Sequence, residues 1–73
     1  MTVSHRCVID WGHRHTRSLD VTEARNAYVA ARRTQKLYQA FNCVIRVRGP
    51  IGTELLACWR VDAAGGFTRL MLE

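Results

Sequence analysis

Leu19-Asp20-Val21-Thr22-Glu23-Ala24 is the stretch whose reading decides the fold of this chain. Asp20 is a good helix N-cap, because its short carboxylate accepts hydrogen bonds from the free N–H groups of a first turn. Glu23 stands three residues on and completes a capping box, and Leu19 and Ala24 sit where a hydrophobic staple lies. The spacing predicts a helix from Asp20 to about Gln39, with no Gly or Pro between 20 and 41. Val21, Ala24, Ala27, Tyr28, Ala31, Leu37, Tyr38 and Phe41 follow an i, i+3/i+4 pattern along it, weakened in the middle by Thr34 and Gln35.

Outward from the helix, on both sides, the apolar period is two. Val3, His5, Cys7, Ile9 and Trp11 share one face of a strand over 2–11, and Ser4, Arg6, Val8 and Asp10 share the other. Gly12 ends that strand and opens a basic loop, His13-Arg14-His15-Thr16-Arg17. After the helix, Phe41, Cys43, Ile45 and Val47 alternate with Asn42, Val44, Arg46 and Arg48. Gly49-Pro50-Ile51-Gly52 reads as a turn. Leu55, Ala57, Trp59 and Val61 then alternate with Glu54, Leu56, Cys58 and Arg60, and Asp62-Ala63-Ala64-Gly65-Gly66 is a second hairpin turn. Phe67 to Leu72 forms a last strand of ambiguous facing, Leu70 and Leu72 opposing Phe67, Arg69 and Met71. The expected fold class is α+β in the order β-α-β-β-β: an antiparallel sheet of about four strands with one helix packed on one face, a single domain over 1–73. A right-handed crossover would set the first strand parallel to a member of the sheet.

The chain has 73 residues, with 11 Lys and Arg against 6 Asp and Glu, a formal charge of +5. That balance favours nucleic acid or an acidic protein surface as partner, although a charge of this size also serves solubility alone. A core this small supplies only about 3–5 kcal/mol, so a second subunit would help it. No apolar run approaches the roughly 18 residues of a membrane span, and residues 1–6 carry no apolar signal core. The expectation is an intracellular protein without membrane contact. Cys7, Cys43 and Cys58, odd in number and widely spaced, read as buried small hydrophobes rather than as a disulfide framework.

One helix covers one face of such a sheet, so the other face meets water or a partner. By parity that open face carries Arg6, Val8, Val44, Arg46, Arg48, Leu56, Cys58 and Arg60, with Phe67, Arg69 and Met71. Arg46, Arg48, Leu56, Arg60 and Arg69 are its candidate contact residues, for a protein partner or for a homodimer seam. A solvated face with scattered hydrophobes is the ordinary alternative. Arg25, Val29, Arg32, Arg33 and Lys36 line the helix away from its core stripe with no acid among them, and with Arg14 and Arg17 of the loop they make a second cationic contact. A phosphate at the helix N-terminus is opposed by Asp20. No C-x₂-C or H-x₃₋₅-H pair marks a metal site, and none is expected. Neither a strained nucleophile turn nor a Gly-rich phosphate loop is present, so the reading is a protein without cofactor or enzyme activity. The residual catalytic alternative is a small ribonuclease working through His13 and His15.

The order of these pieces, strand 3–11, helix Asp20–Gln39 and meander Phe41–Leu72, with its basic surface and lone helix, resembles the small phage-encoded anti-CRISPR proteins that act on type I CRISPR–Cas systems. That resemblance implies a non-enzymatic inhibitor in the cytoplasm of a bacterial host. It would dock on a CRISPR–Cas effector subunit and block target DNA binding or nuclease recruitment. Many members of that group are acidic DNA mimics; a charge of +5 departs from them and implies contact with acidic protein surface, or with nucleic acid beside the complex. The alternative carried by the residues is a small basic DNA- or RNA-binding module. Trp11 and Trp59 fall on the core parity and Tyr28 and Tyr38 on the core stripe, leaving only Phe67 as a stacking platform, which disfavours single-strand binding by base stacking.

Overall fold

The computed structural model describes residues 2–12, 15–50 and 54–71. The chain runs β1 (Val3–Gly12), β2 (His15–Ala24), α1 (Ala27–Tyr38), β3 (Cys43–Arg48), β4 (Leu55–Val61) and β5 (Phe67–Leu70). The fold is α+β, one helix on an antiparallel sheet, and the sheet has five strands in the order β2-β1-β3-β4-β5.

The strand missing from the sequence reading is β2. The stretch expected to open the helix is instead a strand that pairs antiparallel with β1, from Val3 opposite Ala24 to Gly12 opposite His15. Thr16, Val21 and Thr22 are stiff at χ1 and suit a pleated surface better than a helix interior. Pairing along the whole of β1 outweighs a capping pattern worth about 1 kcal/mol. Gly12, at φ +79, makes the sharp exit from β1 that this hairpin needs. The true N-cap is Asn26, whose Oδ1 accepts from the Val29 N–H at 2.9 Å. Arg25 therefore lies in the bend before the helix.

The inserted strand also changes the sheet's sense. β1 is antiparallel to both β2 and β3, so it is parallel to no neighbour. The crossover instead joins β2 to β3 through α1, with β1 between them, a split β-α-β arrangement.

Helix α1 buries Ala30, Ala31, Thr34 and Gln35, with Ala27 half-buried in the same stripe. These side chains are small or partnered. Thr34 hydrogen-bonds Cys7, and Gln35 Nε2 donates to the Ala40 carbonyl at 3.1 Å. The expected stripe was one step off. Leu37 is 75% exposed, and Tyr28, Tyr38 and Phe41 keep much of their surface in solvent. The stripe turned to the sheet is Ala27, Ala30, Ala31, Thr34 and Gln35, and helix geometry leaves the larger residues on its flanks. The end near Gln39 stands as expected: Gln39 adopts φ 49, ψ 50, and the Ala40 N–H returns to the Gln35 carbonyl at 3.0 Å.

Beneath the helix, Cys7, Ile9, Cys43, Ile45, Val47, Ala57, Trp59 and Val61 form the buried face of the sheet, on the parity the sequence predicts. The β4–β5 turn also forms where expected. Asp62 Oδ1 accepts from the N–H groups of Ala64 and Gly66 at 2.9 and 2.8 Å. All three cysteines are free and buried. No helix among the described residues is long and apolar enough to cross a membrane.

Candidate functional site

The sheet face opposite α1 is built by strand alternation and read from the pairing. Val8, Arg46, Cys58 and Leu70 form one row across β1, β3, β4 and β5. Asp10, Val44, Arg60 and Thr68 form the next. Arg6 stands directly opposite Arg48 in a third, and a register shift beside Arg48 leaves Leu56 in a bulge next to them. Neighbouring strands lie about 4.8 Å apart, so these side chains are within reach of one another.

Charge on this face is lopsided. Arg46 Nη1 meets Asp10 Oδ2 at 3.1 Å, the one ion pair among the described residues. Arg6, Arg48 and Arg60 have no such partner there. The Arg6–Arg48 juxtaposition is the more telling feature, because like charges placed opposite one another across strands destabilise a sheet. The Arg6 Nε is moreover buried with no acceptor among the described residues. The Asp10 carboxyl is lowered from its ordinary value, chiefly by the Gly12 N–H and then by Arg46. Glu23, at the corner of the face, is lowered in the same way by the Ser4 and Thr2 hydroxyls, at 2.6 and 3.1 Å. Both acids are thus already engaged.

Of the five open-face candidates, Arg46, Arg48, Leu56 and Arg60 lie on this face. Arg69 does not. It pairs with Trp59 and its guanidinium lies 5.7 Å from the indole centroid, on the helix side. Phe67 shares that side, opposite Val61. The register set by the Asp62 turn decides this facing, and Thr68 and Leu70 take the open positions instead. Cys58 faces outward as expected but is only 8% exposed.

The second expected contact, one stripe along the helix, is dispersed. Arg33 points toward β2 and donates to the Glu23 carbonyl. Arg17 lies over the Tyr38 ring, 4.9 Å from its centroid. Arg32 turns the other way, toward β5, 5.0 Å from the Phe67 centroid and 5.9 Å from that of Tyr28. Consecutive helical residues point about 100° apart, so Arg32 and Arg33 cannot serve one face. Lys36 is exposed and lies with Arg32 at a cleft beside the β4–β5 turn. Arg14 lies outside the described residues, as do His13, Ile51, Gly52 and Leu72.

Sequence reasoning missed the aromatic group that receives Arg32 and Arg69. Tyr28, Trp59 and Phe67 meet edge to face or tilted, with centroids 5.7 to 6.4 Å apart. The signal was available in the i, i+2 spacing of Phe67 and Arg69, which puts both on one face once either is assigned. The Cys7 and Cys43 thiols offer little nucleophilicity. Burial raises the pKa of Cys7, although its Thr34 bond acts against this, and burial together with the Asp10 charge raises that of Cys43. Among the described residues no three His, Cys, Asp or Glu side chains converge on a common point.

Comparison of the chain with protein-family models, with curated proteins and with solved structures found no match in any of the three.

Proposed function

We propose that this chain is a non-enzymatic docking module whose uncovered sheet face binds an acidic protein surface. Arg6, Arg46, Arg48 and Arg60 are the contact groups, interleaved with the apolar Val8, Leu56, Cys58 and Leu70. The observation that carries this reading is Arg6 opposite Arg48 on the face away from α1, which no element among the described residues covers, an arrangement that costs folding stability and is relieved by external carboxylates. Guanidinium groups mixed with apolar side chains are the composition of a protein interface core. A two-fold seam between copies of the chain is disfavoured, because it would set this cationic patch against itself.

The resemblance to anti-CRISPR inhibitors makes the partner a subunit of a type I effector complex, held stoichiometrically so that target DNA or the nuclease is excluded. Direct binding of nucleic acid by the same face would run through phosphates alone, since Tyr28, Trp59 and Phe67 all lie on the other side. The test is phage plaquing on cells with an active type I system. Expression of the wild-type chain should restore plaques, and Arg46→Glu with Arg48→Glu, at unchanged fold, should not. Undiminished inhibition by that double variant overturns the role of this face, and no inhibition by the wild type overturns the partner. Tight binding to random duplex that falls steeply between about 50 and 200 mM salt would move the partner to nucleic acid.

A further inference from the structure

A cleft of about 460 Å³ lies on the helix side of the molecule, away from the open sheet face. The last two turns of α1 form one wall and the β4–β5 turn the other. Its volume falls within the range of small-molecule sites and exceeds what a bare inorganic anion fills.

The lining is cationic and amide-rich. Lys36 stands exposed at the mouth. Arg32 is half-buried, and the rings of Phe67 and Tyr28 hold its guanidinium before any ligand arrives. No carboxylate is among the described lining residues. Asp62, the acid of the adjoining turn, already accepts from two backbone N–H groups. The negative end of the helix dipole points here, but it amounts to about half a charge against two full ones. The Gln35 and Lys36 carbonyls at that end are also taken by the Gln39 and Ala40 N–H groups.

Phe41 supplies a flat apolar wall, 40% exposed. Gly65 lies directly against that ring. A Cβ there would come within 3.3 Å of Phe41 Cε1, and its φ of +87 is unsuited to a side chain. The cleft therefore combines a held guanidinium, an exposed ammonium and an aromatic wall beside Gly65.

We propose that this cleft binds an organic phosphate carrying a flat ring, of the nucleoside monophosphate class. The phosphate bridges Arg32 and Lys36, and the base lies on Phe41. This site is independent of the open sheet face and of its protein partner.

Calorimetric titration with AMP, adenosine and inorganic phosphate tests it. AMP should bind one to one and more tightly than either fragment. Lys36→Glu and Phe41→Ala, both at exposed positions, should each weaken AMP by about tenfold or more. Phe41→Ala should leave the weaker phosphate binding unchanged. The open-face double variant should bind AMP as the wild type does. AMP binding that survives Lys36→Glu and Phe41→Ala, or that the open-face variant abolishes, overturns the assignment, as does the lack of saturable AMP binding. A terminal nucleotide of a strand presents the same groups. Equal affinity of AMP and a 5′-phosphorylated oligonucleotide identifies the free nucleotide as ligand, and tighter oligonucleotide binding identifies the strand end.

Discussion

The two faces of one sheet follow different rules. Under the helix, Ile9, Ile45, Val47 and Val61 are fully buried; of the polar residues admitted among them Thr34 and Gln35 have partners, and His5 keeps its Nδ1 without one among the described residues. On the other side, the same strands carry Arg6 against Arg48 and a buried guanidinium nitrogen without an acceptor. The first face is arranged for stability. The second gives some of it up, and a domain of this size has only about 3–5 kcal/mol to give. Both faces hold one buried nitrogen without an acceptor among the described residues, His5 Nδ1 on the covered side and Arg6 Nε on the open one, but only the open face sets like charges against one another, which is the mark of a surface shaped by something outside the chain.

The sharpest way to break this contrast is to exchange the damage. Trp59→Ala on the covered face should cost about 3–5 kcal/mol and leave the domain largely unfolded at 25 °C, as read by circular dichroism in a urea titration. Arg46→Glu with Arg48→Glu on the open face should leave the melting curve cooperative. If the open-face pair unfolds the domain instead, the two faces are not energetically distinct. Asn26→Ala should cost about 1 kcal/mol by removing the bond to the Val29 N–H, lowering the melting temperature by several degrees.

A smaller and more pointed effect is expected at Arg48. Arg48→Glu turns a repulsion with Arg6 into an attraction, so the variant should gain about 0.2–1 kcal/mol of stability while losing partner binding. A variant that is both less stable and binding-deficient would mean that the pair is structural. The smallest effect is the response to acid. Asp10 and Glu23 have folded-state carboxyls below their ordinary values of 3.8 and 4.5. Their contribution is complete above those values and is lost as pH falls through the lower folded ones. Asp10→Asn should flatten the decline of stability below about pH 4, measured by urea midpoints across the acid range.

What was legible in the sequence follows from how local its causes are. The alternations His5–Trp11, Cys43–Val47 and Ala57–Val61 place each side chain on its observed side, because a period of two with one buried face favours a single register, whereas Val3 and Leu55, expected on the covered face, are exposed, Leu55 beside the bulge opposite Arg48. Open-face positions Arg46, Arg48, Leu56 and Arg60 inherit that accuracy. The stretch 15–24 was not legible by the same means. Asp20 and Glu23 have the spacing of a capping box, and what overrides it is pairing with β1, a contact that no local window contains. Arg25 was misplaced for that reason, since it precedes the helix, whereas Arg32 and Arg33 are separated by the ordinary turn of about 100° between consecutive helical residues. Arg69 went astray for another: the last strand alternates apolar residues on both parities, and only the backbone bonds of Asp62 with Gly65 and Gly66 fix its register.

The three unpaired, sheltered thiols turn the molecule into its own recorder. Cys7 and Cys43 lie beneath the helix and Cys58 on the opposite side, so the rate at which a thiol reagent reaches each one clocks the opening of that side separately. A bound partner would slow the labelling of Cys58 by steric shielding, whereas a loosened helix would quicken Cys7 and Cys43, and mass spectrometry distinguishes the two without any engineered tag.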